Sequence, residues 1–124
     1  MGAKRALTLI VARPGPLREG VEALVATVSR VKIVGRVGAA APALRLVREH
    51  HPDLLLLDAG LPRDESVRVL RTCCRDHGEL RCIVLADDAE QAREASAAGA
   101  DAVFLKGFPA DKFVQTVERL LSDR

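Results

Sequence analysis

Apolar residues in this chain come in short solid runs, and between the runs apolar positions recur at helical spacing. Ala6 to Val11 reads ALTLIV, a length that suits a strand covered on both faces. Leu17 to Thr27 follows as a helix, with Leu17, Val21, Leu24, Val25 and Val28 on one side. Val31 to Val37 predicts a second strand, containing Ile33 and Val34 and ended by Gly38. Pro42 belongs in the first turn of the next helix, where its missing N–H costs nothing; that helix runs to about His50, before Pro52. Leu54 to Leu57 is apolar at every position and ends in Asp58, which makes it the central strand. A third helix, capped by Ser66 or by Asp64 just ahead of it, runs to about Asp76 with Val67, Leu70 and Cys74 facing inward. Arg81 to Ala86 is the fourth strand, and Glu90 to Ala98 the fourth helix, stopped by Gly99. Ala102 to Lys106 and Asp111 to Leu121 complete the pattern, the last helix carrying Phe113, Val114, Val117, Leu120 and Leu121.

Five strands alternating with five helices at this spacing predict an α/β fold, a doubly wound parallel sheet covered on both faces as a three-layer sandwich. Open sheets of this kind bind ligands outside the carboxyl ends of the strands. Ala12-Arg13, Asp58, Ala86-Asp87 and Lys106 all fall there. Asp58 stands out, because a charged residue at the mouth of a buried strand is placed for chemistry.

Composition narrows the function. With 124 residues, 48% apolar and 29% charged, the chain reads as one globular domain, residues 1–124. A net charge of +2, spread along the chain, with no Tyr or Trp and only Phe104, Phe108 and Phe113, argues against nucleic-acid binding. No apolar stretch is long enough for a membrane span, and Met1-Gly2-Ala3-Lys4-Arg5 leads into the first strand with no cleavage-site pattern, so the expected location is cytoplasmic. Cys73, Cys74 and Cys82 are an odd, scattered set without metal-ligand spacing and read as reduced thiols. His50-His51 and His77 close helices, where a partly positive ring meets the helix dipole. No Gly-rich phosphate loop, nucleophile elbow or metal motif is present, so an enzyme is not expected.

The order and spacing of several segments resemble the receiver domains of bacterial response regulators, over about Leu7 to Leu121. The similarity is greatest to receivers of LuxR-type transcriptional regulators. It is carried by Leu17-Arg18-Glu19-Gly20, Ala43-Leu44-Arg45-Leu46-Val47, Pro52-Asp53 leading into Leu54 to Asp58, Leu61-Pro62, Ala98-Gly99-Ala100 and Leu105-Lys106. The resemblance implies the flavodoxin-like, CheY-like fold with strand order 2-1-3-4-5. It implies that Asp58 matches the phosphoacceptor, Lys106 the lysine that contacts the phosphoryl group, and Gly60 the position whose carbonyl binds the metal. Elsewhere the family pattern breaks. Ala12 and Arg13 stand where two acidic residues hold Mg²⁺, Ala86 where a Thr or Ser reports phosphorylation, and Val103 where a switching aromatic precedes the lysine.

Mg²⁺ demands octahedral oxygen ligands, usually one or two carboxylates with phosphate oxygens and waters. Asp58 with one carbonyl is a poor remnant of that set, so no cofactor is expected and Mg²⁺ should bind weakly. Lys106 should pair with Asp58, while Arg13 either adds a second contact, guanidinium to carboxylate, or points to solvent. Asp87 and Asp88 either supply a displaced acidic pair or begin the loop and cap the fourth helix. Two functions are therefore open. One is an atypical receiver in two-component signalling, a regulatory module with impaired metal-dependent phosphorylation that binds protein partners such as a histidine kinase, an output domain or a second copy. The other is a phosphorylation-dependent receiver controlling a DNA-binding output domain absent from this chain. By resemblance, the fourth helix, fifth strand and fifth helix form the usual contact face.

Overall fold

The computed structural model describes residues 4–122. The reading of the amino-terminal Met1–Ala3 lies outside them. Five strands, β1 (Ala6–Val11), β2 (Val31–Val37), β3 (Leu54–Asp58), β4 (Arg81–Ala86) and β5 (Ala102–Leu105), alternate with helices α1 (Pro16–Val25), α2 (Ala40–His50), α3 (Glu65–Asp76), α4 (Ala89–Ala97) and α5 (Ala110–Ser122). The strands form one parallel sheet in the order β2-β1-β3-β4-β5. This is the expected doubly wound arrangement.

Side-chain alternation along the strands divides the core into two layers. Leu55 and Leu57 of β3 join Leu9, Val84, Val69, Leu70 and Val47 on the face covered by α2, α3 and α4. Leu54 and Leu56 join Ile10, Ile83, Val21, Phe113 and Val117 on the face covered by α1 and α5. All five residues of β3 are buried, as its unbroken apolar run requires. Phe104, Phe108 and Phe113 pack on one another with ring centroids 5.1 to 5.6 Å apart, so the aromatics help build the second layer. Edge strand β2 closes on α2 only because position 35 is glycine: a Cβ there would lie 2.8 Å from Leu46 Cδ1.

Helix ends account for most departures from the expected pattern. Helix α1 ends at Val25 rather than Thr27, and α2 begins two residues ahead of Pro42, at Ala40. No side chain of its own caps α2; instead Glu65 of α3 accepts a 2.7 Å hydrogen bond from the Ala40 N–H, an acceptor supplied across the fold. Neither Asp64 nor Ser66 caps α3. Asp64 holds the N-cap position in a left-handed conformation, following Arg63 in the same region, while the Ser66 hydroxyl donates to the Asp58 carbonyl at 2.7 Å. The buried face of α3 is Ser66, Val69, Leu70 and Cys73; Cys74, expected inward, is exposed, and Val67 is half-buried. Burial raises the Cys73 thiol to about 11 and pushes Cys82 well above the ordinary range, so both are held as protonated thiols. Asp88 does cap α4, its carboxylate accepting from the Gln91 N–H at 2.8 Å.

Candidate functional site

Three neighbouring strands deliver the site. Asp58 is the last residue of β3, Asp87 follows β4 directly, and Lys106 follows β5 directly, so β4 lies between the strands that carry Asp58 and Lys106. The Lys106 N–H donates to the Ala86 carbonyl at 2.9 Å, which fixes the lysine backbone against the end of β4. From there its ammonium reaches both carboxylates, 2.8 Å from Asp58 Oδ1 and 2.6 Å from Asp87 Oδ1. The Gly60 N–H donates to the same Asp58 oxygen at 2.8 Å.

Position 60 fills the middle of this network. A Cβ there would lie 3.1 Å from Asp58 Oδ1, 3.1 Å from Asp87 Oδ2 and 3.4 Å from Lys106 Nζ. Glycine therefore lets the three charged groups converge around the backbone, a close approach that any side chain would obstruct.

The charges support one another. Burial pulls Lys106 toward a lower pKa, but hydrogen bonds to Asp58 and Asp87 outweigh it and hold the ammonium above its ordinary value. The Lys106 hydrogen bond likewise holds Asp87 below the usual carboxylate range. Lys106 thus serves two anions with one cation, and the Asp58 side chain, 12% exposed, reaches solvent through a narrow mouth.

Across the sheet, the end of β1 contributes no comparable chemistry. Ala12 is buried, and its carbonyl accepts from Arg18 at 3.3 Å. Arg13 is exposed and lines an open cleft with Pro14, Gly15, Leu17, Asp58 and Lys106. Its anticipated second contact is absent: among the described residues Arg13 forms no ion pair with Asp58. Ala86 is fully buried and offers no hydroxyl, and Val103 is half-buried against the α2/α3/α4 layer as an aliphatic packing residue. The displaced acidic pair also separates, since Asp88 is committed to the α4 cap and only Asp87 enters the site. Asp87 was visible in sequence as the residue after the fourth strand; its sharing of Lys106 emerges only when β3, β4 and β5 lie side by side.

The donor set does not fit Mg²⁺. The close contacts to Asp58 Oδ1 come from an ammonium and an N–H, the two positions at the end of β1 provide no carboxylate, and among the described residues no group of three or more His, Cys, Asp or Glu is arranged to hold a metal ion.

A doubly wound parallel sheet with an aspartate–lysine pair across its carboxyl edge defines a class of signalling modules. The response regulator receiver domain model matches residues 9–118, and the chain belongs to that family, the receivers of two-component signal transduction. It is 32% identical over 96 residues to the polar-differentiation response regulator DivK of Brucella ovis, covering 71% of this chain and 75% of DivK. It is 29% identical over 102 residues to the transcriptional regulatory protein YhcZ of Bacillus subtilis, covering 81% of this chain and 48% of YhcZ. The chain thus spans about half the length of that relative. A solved LuxR-family two-component response regulator from Aurantimonas superposes with a TM-score of 0.84 at 26% identity, covering 98% of this chain and 88% of that one. Among the described residues no helix is long and apolar enough to cross a membrane.

Proposed function

We propose that this receiver is an atypical one, a protein-interaction and regulatory module in which metal-dependent phosphorylation of Asp58 is impaired. The observation that carries the reading is the Lys106 bridge to Asp58 and Asp87 beside a β1 end that offers Ala12 and Arg13. Phosphoryl transfer needs its equatorial oxygens neutralised as charge redistributes in the transition state. Here one ammonium, already divided between two carboxylates, is the cation in contact with Asp58, so transfer is slow and Mg²⁺ accelerates it little. Signalling then depends on which partner is present, in the cytoplasm, with a histidine kinase, an output domain or a second copy as candidates. Leu105, 51% exposed on β5, is the large hydrophobic side chain left uncovered and supports partner contact on that face.

The test is intact-mass spectrometry after incubation with acetyl phosphate and Mg²⁺. The reading expects no phosphorylated species, or a trace indifferent to Mg²⁺; stoichiometric, Mg²⁺-dependent phosphorylation lost in Asp58→Asn overturns it. In that event the second reading stands, a phosphorylation-dependent receiver driving a DNA-binding output domain. That reading is favoured by this chain's spanning about half of a transcriptional regulatory relative.

A further inference from the structure

Beside Gly60 and Asp87, between α3 and α4, lies a cavity of about 270 Å³ that the phosphorylation chemistry does not use. Its floor is apolar, formed by buried Leu61, Leu70, Val84 and Ala95. The space exists because α4 presents the short Ala95 toward this floor. The rim is acidic: Asp64, Asp87 and Glu94 line it against a single guanidinium, Arg63. Among the described residues Asp64 and Glu94 form no ion pair, so two of the three rim carboxylates have no cation of their own.

An apolar floor under an unneutralised acidic rim selects an occupant with an aliphatic body and a positive head. The volume lies just under the range of roughly 300 to 1,000 Å³ usual for small-molecule sites, which limits the body to a short chain. We propose that the α3–α4 cavity binds a small organic cation, an alkylammonium or alkylguanidinium, with its chain on Leu70 and Val84 and its charge among Asp64, Asp87 and Glu94. Because Asp87 also holds Lys106 at 2.6 Å, a cation seated there competes with the lysine for that carboxylate. The site goes beyond the proposed function and stands whether or not Asp58 accepts a phosphoryl group.

The test is an amide NMR titration of the full chain at low salt with agmatine, an alkylguanidinium with an ammonium tail, and with n-butanol as the uncharged control. The expected result is saturable shifts at Gly60, Leu70 and Ala95 with agmatine and not with butanol. Glu94→Gln, an exposed change that spares the fold, should weaken binding by about two- to fivefold, the size of one exposed charge contact. Absence of saturation up to about 10 mM, weaker than any useful affinity, overturns the proposal, as does equal binding of butanol or an unaltered affinity in Glu94→Gln. A short arginine-bearing peptide that binds these residues far more tightly than agmatine overturns the free-ligand assignment and makes the occupant a partner's side chain.

Discussion

The two sides of the carboxyl edge of the sheet have kept different things. On the β3–β4–β5 side, Asp58, Asp87 and Lys106 form a complete charge network around Gly60, with contacts of 2.6 to 2.8 Å. On the β1 side, Ala12 is buried and Arg13 is exposed, and neither offers an oxygen ligand from its side chain. The lysine and the aspartate are useful without a metal because they satisfy each other. The missing acidic pair has no such substitute, since Arg13 does not close on Asp58. The site is therefore organised as an internal ion pair rather than as a cation-binding cup.

The comparison breaks most visibly if the β1 side is rebuilt. Ala12→Asp with Arg13→Asp is expected to raise Mg²⁺ affinity at least about tenfold, roughly 1.4 kcal/mol, and to permit some phosphorylation of Asp58, read by calorimetry and intact mass. Ala86 and Val103 would still leave the conformational response without its hydroxyl and its aromatic. A double mutant that binds metal yet resists a good phosphodonor would place the defect on the lysine side.

Next in size is Lys106→Met, which removes the cation and leaves two carboxylates across Gly60. A loss of roughly 1 to 2 kcal/mol at neutral pH is expected in urea unfolding, between the values for exposed and buried pairs. Gly60→Val should act in the same direction, because its Cβ enters space 3.1 Å from both carboxylates.

The pH dependence sharpens the same point. Asp87, held low by Lys106, contributes stability that is present above the unfolded carboxylate value of about 3.9 and disappears as pH falls through its lower folded value. Lys106, held high overall, contributes below its unfolded value of about 10.4 and loses that contribution as pH rises through its higher folded one. The stability gap between the wild type and Lys106→Met should therefore be widest between about pH 5 and 10 and narrow on both sides. A gap independent of pH would assign the lysine a packing role only.

The smallest effect concerns the loop after β3. Arg63 and Asp64 both adopt left-handed backbone, at φ 56° and 57°. Glycine is free of that penalty, so Arg63→Gly should stabilise the fold by up to about 1 kcal/mol in thermal unfolding, after the entropy glycine costs is deducted. Its agmatine affinity should rise slightly, since the only cation on the rim is gone.

The sequence by itself determined the alternation of elements, because solid apolar runs and helical spacing leave a parallel sheet few alternatives. It also determined that Asp58 and Lys106 meet, since both end strands on the carboxyl edge of such a sheet. It did not determine which face of α3 is buried. Cys73 and Cys74 are adjacent and equally apolar, and a helix turns about 100° between neighbours, so only the seating of α3 on the sheet decides that Cys73 goes inside. The direction of Arg13, the capping of α2 by Glu65 and the recruitment of Ser66 to the Asp58 carbonyl were likewise beyond local pattern, being contacts between segments distant in the chain or choices among rotamers of a long side chain. The sharing of Lys106 between Asp58 and Asp87 belongs to the tertiary structure alone: it needs three strands laid side by side and a glycine between them, and no local stretch of sequence contains all of these.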